Sequence, residues 1–446
     1  MDTLFLSRLQ FAFTIGFHFL FPPISIGLAW LLVYMEGMNW KTGNSLYERM
    51  GRTFGKLLAL TFVVGVATGI VMEFQFGTNW SEYSKFVGDI FGAPLAAEGI
   101  FAFFLESAFL GLYLFGRNRV SKGVHFFSIL MVAVGATISA FWILVANSWQ
   151  QTPAGYVVQN NRAELVSFAE AVFNESMWVR FFHTFFASIV CGAFAAAGVA
   201  AYWALHKKEM DLTKRVMIIS LIVGFIGSIL MAVPTGHEHA KQVARTQPEK
   251  FATMEGLFET QERAPLVVFA IPSQNPPGLK GTIAIPGLLS LMAFDDIDAT
   301  VKGLNEFPQD ERPPFFLTFV SFHTMVALGS FFIALTAVGL FLLYRGLLWE
   351  SKWFLRLLIV SIPLPLIACQ VGWIAAEVGR QPWIVYRLLK TADAFSPTVS
   401  AGEVLFSLIL FGVIYLFLGA LYLYIAVKEV KHGPYPMPET EGEVKV

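Results

Sequence analysis

The chain has 446 residues, of which 56% are hydrophobic and only 14% charged, with 45 Phe. An ordinary soluble protein would expose too much apolar surface at this composition, so the sequence reads as a polytopic protein of a lipid bilayer. The net charge of -1 points to no partner, because in such a chain the location of charges matters rather than their sum, and no nucleic acid is expected.

Runs of roughly 20 apolar residues, the length that spans a bilayer as a helix, lie at about 9–34, 57–76, 94–115, 124–146, 180–205, 216–234, 315–343, 357–376 and 403–427. The expectation is an all-α integral membrane protein with nine transmembrane helices packed in bundles. Helices one to six fall in 1–236, a long extracytoplasmic loop in 237–314, helices seven to nine in 315–430 and a cytoplasmic tail in 431–446. No small-residue cleavage site follows the first run, which reads as a retained helix rather than a removed signal peptide. No internal repeat of 20–50 residues stands out, so solenoid arrays are excluded.

In helix one, His18 lies roughly 15 Å deep at 1.5 Å per residue. Pro22 cannot donate to the His18 carbonyl, so a bend is expected there. A histidine in hydrocarbon needs a partner, which is either an interhelical hydrogen bond or a metal. Helix three carries Glu98 and Glu106, about 12 Å apart along the axis and within about 80° around it. Two carboxylates at this depth suit a proton relay, or burial against a polar partner such as Asn147 or Ser139 of helix four.

His183 enters helix five, and Met325 helix seven, from the same side as His18, so the three can meet at similar heights. A Met in an apolar helix ordinarily serves packing. Cys191 and Cys369 each sit inside an apolar run, which suggests neither a disulfide framework nor a Cys-based metal site. The long loop starts polar, with His237 and His239 read as solvated, and ends in Pro313 and Pro314, which suit a helix start. Its Phe251, Met254, Leu257 and Phe258 recur at helical spacing and point to a surface-lying amphipathic helix. Helix eight ends in GWIAAEVGRQPW, with Glu377 and Arg380 close enough to pair and Trp373 and Trp383 suited to an interfacial aromatic belt.

The loops after helices one, three, five and seven, with the tail, hold more than twice as many Lys and Arg as the opposite side, once the long loop is set aside. The positive-inside rule therefore places the amino terminus outside and the carboxyl terminus in the cytoplasm.

His, Met and in some proteins a carboxylate are side chains that a haem iron uses. The stretches LSRLQFAFTIGFHFLFPP, VMEFQFGTNW, GDIFGAPLAAEGIFAFFLES, ANSWQQTPAG, QPEKFATMEG, SFHTMV and GWIAAEVGRQPW together resemble subunit I of the cytochrome bd quinol oxidases. They span residues 6 to 383, nearly the whole chain.

The resemblance implies two haem b and one haem d, or haem b in place of haem d. His183 and Met325 would be the axial ligands of a low-spin haem b, with His18 and Glu377 serving the other two haems in either order. Trp373 and His323 join this cofactor-binding set. Glu98 would stand beside the di-haem site with Glu106, Ser107 and Ser139 on a proton path toward it, and Arg380 belongs with these catalytic residues. Lys250 and Glu255 match a pair implicated in quinol oxidation. The family further implies a second large membrane subunit, a small single-helix subunit, and a place in the bacterial cytoplasmic (inner) membrane.

Two departures stand out. His323 stands where some members carry Arg, which leaves the potential of the low-spin haem open and makes His323 a rival ligand, although residues two apart on a helix point to different sides. The loop also lacks a long insertion, which places the chain with the short-loop kind.

The expected function is a terminal respiratory oxidase. Quinol is oxidised at the outer face, and O2 is reduced to water with cytoplasmic protons, building a proton gradient without pumping. One alternative is a haem-bearing electron carrier without oxygen chemistry. Another is a haem-free transporter, for which inverted repeats would be expected and none is seen.

Overall fold

Backbone polar groups find no water in a bilayer core, so apolar runs of this length must pair their own amides as helices. A computed structural model of the protein describes residues 2–436, so positions 437–446 of the tail lie outside the described residues. Among the described residues, nine helical segments are long and apolar enough to cross a membrane, matching the expected number.

The first span is two helices, α1 (Thr3–His18) and α2 (Pro22–Thr42). The bend expected from Pro22 is a full break, with Pro22 and Pro23 opening α2. α3 (Ser45–Thr78) follows, then α4 (Ser81–Ala97), a π turn at Glu98–Phe103, and α5 (Phe104–Gly116), so the third span is longer than its apolar run. α6 (Lys122–Gln151) leads to a hairpin of β1 (Tyr156–Gln159) and β2 (Arg162–Leu165) and a short α7 (Phe168–Val172). α8 (Met177–Leu205) and α9 (Met210–Leu230) form the largest helix–helix contact of the molecule.

α9 does not stop where the apolar run ends. A π turn at Met231–Gly236 joins it to α10 (His237–Thr246), so the helix runs ten residues past the loop boundary expected at His237. α11 (Pro248–Glu255) comes next. Its predicted surface position is corrected, because every residue from Glu249 to Glu255 is buried. Phe251, Met254 and Leu257 form a small core with Val243 of α10 and with Leu289 and Ala293 of α12 (Leu288–Phe294). The loop therefore has its own apolar centre and has no need to lie on lipid.

The remaining elements of the loop are short. β3 (Gln261–Glu262) pairs with β6 (Thr300–Val301), and β4 (Leu266–Gln274) pairs antiparallel with β5 (Pro277–Ile285). α13 (Phe315–Tyr344), α14 (Lys352–Val360), α15 (Leu364–Val378), the strands β7 (Trp383–Val385) and β8 (Leu389–Lys390), and α16 (Ala401–His432) complete the chain.

The main core gathers Leu28, Leu32 and Met35 of α2, Phe54 of α3, Trp203 of α8, Met217 of α9 and Phe332 of α13. Two glycines let α2 and α8 cross in direct backbone contact, since a Cβ on Gly27 would stand 2.7 Å from the Gly192 nitrogen. At the end of the bundle opposite the loop, Glu36 of α2 pairs with Arg117 at the end of α5 and accepts from the Tyr113 hydroxyl at 3.0 Å. Burying these charges as a hydrogen-bonded set offsets their desolvation and pins the ends of α2 and α5 together.

Gly27→Ala would force those two backbones apart. It is expected to cost about 1–3 kcal/mol, the usual penalty for overpacking a close contact, read as a lowered thermal midpoint of the purified complex.

Candidate functional site

α15 ends against α6 at the loop side of the bundle, and Glu377 is the centre of that junction. Its Oε1 accepts from Asn147 Nδ2 at 3.0 Å and from Gln151 Nε2 at 3.1 Å, both on α6. Its Oε2 pairs with Arg380, three residues on, as the spacing predicts. Asn147 thus serves Glu377, and of the two partners considered for Glu98 it is Ser139 that takes that role. Although ringed by charged and amide groups, the Glu377 side chain keeps 33% of its surface accessible, whereas Arg380 keeps 5%.

His183 lies on α8 with Nδ1 3.1 Å from the Met231 carbonyl. A carbonyl only accepts, so Nδ1 carries the proton and the Nε2 lone pair is the one presented to a metal. That carbonyl belongs to the π turn containing Pro234, whose missing N–H disturbs the helix ladder there. His18 is engaged at the same nitrogen by another route. Its Nδ1 lies 3.0 Å from Thr68 Oγ1, which leaves Nε2 as the unengaged ring nitrogen. Such an outer hydrogen bond orients an imidazole ligand and raises its basicity.

Glycines make room for two of these side chains. A Cβ on Gly69 would stand 3.1 Å from His18 Cε1, and one on Gly372 would stand 2.8 Å from Met325 Sδ. Met325 therefore lies against α15, the helix that carries Glu377. Trp373 packs edge-on to Phe19 at 5.4 Å and joins a cluster with Leu144 and Val145 inside the bundle. His323 stacks on Phe319 at 4.0 Å, with Nδ1 3.1 Å from the Phe319 carbonyl and Nε2 3.2 Å from the Val267 carbonyl. Both nitrogens are engaged by backbone, which leaves neither facing an iron in this arrangement. His239 departs from the solvated reading, since its ring stands 5.7 Å from that of His183.

The π turn at Glu98–Phe103 changes the relation of the two carboxylates on the third span. One extra residue in the helix turns it back by about 100°, so the roughly 80° separation of a regular helix falls to about 20°. Glu98 accepts from Ser139 Oγ at 2.7 Å, and Glu106 packs against Gly135, one turn away on the same face of α6. Ser107 is engaged with its own helix, donating to the Phe103 carbonyl at 2.8 Å.

In the loop, Lys250 and Glu255 do not pair. Lys250 Nζ donates to Gln151 Oε1 at 3.0 Å and to the Ala376 carbonyl at 2.9 Å, placing it beside Glu377. Burial, followed by the nearby Arg180, pushes its pKa well below the usual lysine range. Glu255 sits at the other end of α11 with Oε2 buried and without a partner among the described residues, and burial pushes its carboxyl up to about 8.

Sequence reasoning missed Gln151 and Arg180. Asn147 and Gln151 are four apart at the end of an apolar helix, a spacing that puts two amides on one face and could have flagged them. Arg180 Nε and Nη2 and Arg380 Nε are buried without partners among the described residues. Unpaired guanidinium donors beside Glu377 are suited to carboxylates such as the propionates of a haem. With the Nε2 lone pair of His183, an unengaged His18 Nε2 and a seated thioether, the residues present fit that group.

The family model described as cytochrome bd terminal oxidase subunit I matches residues 6–434. The chain is 42% identical to the cytochrome bd ubiquinol oxidase subunit 1 of Bacillus subtilis (strain 168), across 97% of this chain and 94% of that one. It is 36% identical to the cytochrome bd-II ubiquinol oxidase subunit 1 of Escherichia coli (strain K12), across 98% of each. The bd oxidase structure from Geobacillus thermodenitrificans superimposes with a TM-score of 0.91 at 31% identity, covering 97% of this chain and 99% of that one. The protein belongs to the cytochrome bd oxidase subunit I family, and its activity is that of a quinol oxidase of a respiratory chain.

Proposed function

We propose that this subunit oxidises quinol at its outer face and holds three haems, two haem b and one haem d or a third haem b, that deliver the electrons to O2. His183 and Met325 hold the low-spin haem, and His18 and Glu377 hold the other two. The single observation that carries the reading is that His183 is held by an Nδ1 hydrogen bond to the Met231 carbonyl in the tautomer that offers Nε2, while His18 is likewise engaged at Nδ1, by Thr68. When bound, the haems supply the one-electron steps and the oxygen chemistry.

The chain's own residues handle position and protons. Glu255 Oε2, buried and without a partner among the described residues, accepts a quinol proton and releases it outside, while Lys250 Nζ holds a quinone oxygen. Arg180 and Arg380 clamp carboxylates beside Glu377. Glu106 and Glu98, brought toward one face by the π turn and backed by Ser139, pass protons from the cytoplasmic side, with Ser107 available once it leaves the Phe103 carbonyl. Release outside and uptake inside separate charge without a pump. The amino terminus lies outside the bacterial cytoplasmic membrane, and a second large subunit with a small single-helix subunit completes the complex.

The absorption spectrum of the purified complex tests the core of the reading. Haem bands with carbon monoxide binding to the reduced form are expected, and a haem-bearing complex that ignores carbon monoxide would instead be an electron carrier. Glu106→Gln is expected to lower O2 turnover by about 10²-fold, the scale of losing a positioned acid–base group, while haem content stays near wild type. For Glu255, a carboxyl pushed up to about 8 is protonated below that pH and accepts protons above it. Quinol oxidation should therefore rise with pH up to about 8 and then level, and Glu255→Gln should remove that limb from the pH–rate profile.

A further inference from the structure

Gln151 is fully buried at the end of α6 and, among the described residues, is the one side chain bonded to both the loop lysine and the carboxylate of α15. Its Oε1 accepts from Lys250 Nζ at 3.0 Å, and its Nε2 donates to Glu377 Oε1 at 3.1 Å. An amide carries one acceptor and one donor group, and here each faces the partner that needs it. Turning the amide over would set an N–H against the lysine, which already donates to the Ala376 carbonyl, and an oxygen against a carboxylate. The orientation is therefore locked from both ends, and the backbone is held as well, with Gln247 Nε2 donating to the Gln151 carbonyl at 2.9 Å.

We infer that Gln151 is a positioning residue that couples occupation of the quinol site at Lys250 to the Glu377 carboxylate two hydrogen bonds away. The inference rests on the quinol and iron roles proposed above for those two residues. A quinol oxygen that draws on Lys250 Nζ competes with Gln151 Oε1. The released amide then holds Glu377 Oε1 less firmly, and a less restrained carboxylate donates differently to the iron it binds. By linkage the effect is reciprocal: the redox state of that haem alters affinity at the quinol site by the same factor.

The test uses the intact oxidase complex, with 2-heptyl-4-hydroxyquinoline N-oxide as quinol-site probe, titrated with the haems poised oxidised or reduced. Wild type is expected to bind the probe about fivefold to tenfold differently in the two states, a tenfold ratio matching a shift of about 59 mV in the midpoint of the Glu377 haem. Gln151→Met, similar in length but lacking both polar groups, should bring the ratio to within about twofold of unity with haem content retained. If that variant does not assemble, Gln151→Glu, which removes the donor toward Glu377, should do the same. Gln247→Leu removes only the bond to the Gln151 backbone and should keep the wild-type ratio.

Equal affinities in the wild type, or an unchanged ratio in the Gln151 variants, would overturn the coupling, and so would its loss in Gln247→Leu, since that reports general loosening of the junction. Failure of the underlying assignment shows separately, as Glu377→Ala retaining full haem content and an unaltered spectrum.

Discussion

The pairing of the partly accessible Glu377 carboxylate is the constraint on which the rest of the site depends. A carboxylate that loses part of its hydration in a membrane protein needs other groups to replace it. Here the replacements come from different parts of the chain. Asn147 and Gln151 stand at the end of α6, and Arg380 follows α15. Satisfying one anion fixes the relative height and rotation of the two helix ends, and Lys250 binds the loop helix α11 to the same place.

Proline and the π turns provide the second device. A regular membrane helix consumes its own carbonyls, leaving nothing to orient a ligand. Where Pro234 interrupts α9, the Met231 carbonyl reaches His183, and the break ahead of Pro22 sets His18 at the end of α1. The π turn after Pro94 rotates Glu98 toward the face of Glu106. Each irregularity weakens the helix ladder locally and gains an oriented polar group in a setting that otherwise supplies none.

These features join the loop to the bundle. The 237–314 loop is not a flap laid over a finished bundle, because α11 is buried along its length and its lysine reaches the backbone residue next to Glu377. The proposed quinol and iron residues share one hydrogen-bonded junction at Gln151, while the carboxylates of the third span face α6 at a separate place. The two polar clusters therefore rest on different groups of the same helix, α6.

Apolar run length determined the nine spans, since a bilayer of fixed thickness admits few other solutions for such a sequence. The sequence also marked His18, His183, Met325, Glu98, Glu106 and the Glu377–Arg380 pair, because ionisable and soft side chains are conspicuous in hydrocarbon. Lys250 and Glu255 were visible only through family resemblance, and their spacing hid that they face apart. The tautomer of His183, the amide bridge at Gln151, the run of α10 past the expected boundary and the burial of α11 were decided by tertiary structure alone. Each depends on which distant groups meet across helices, and local periodicity carries no information about the partner on the other side.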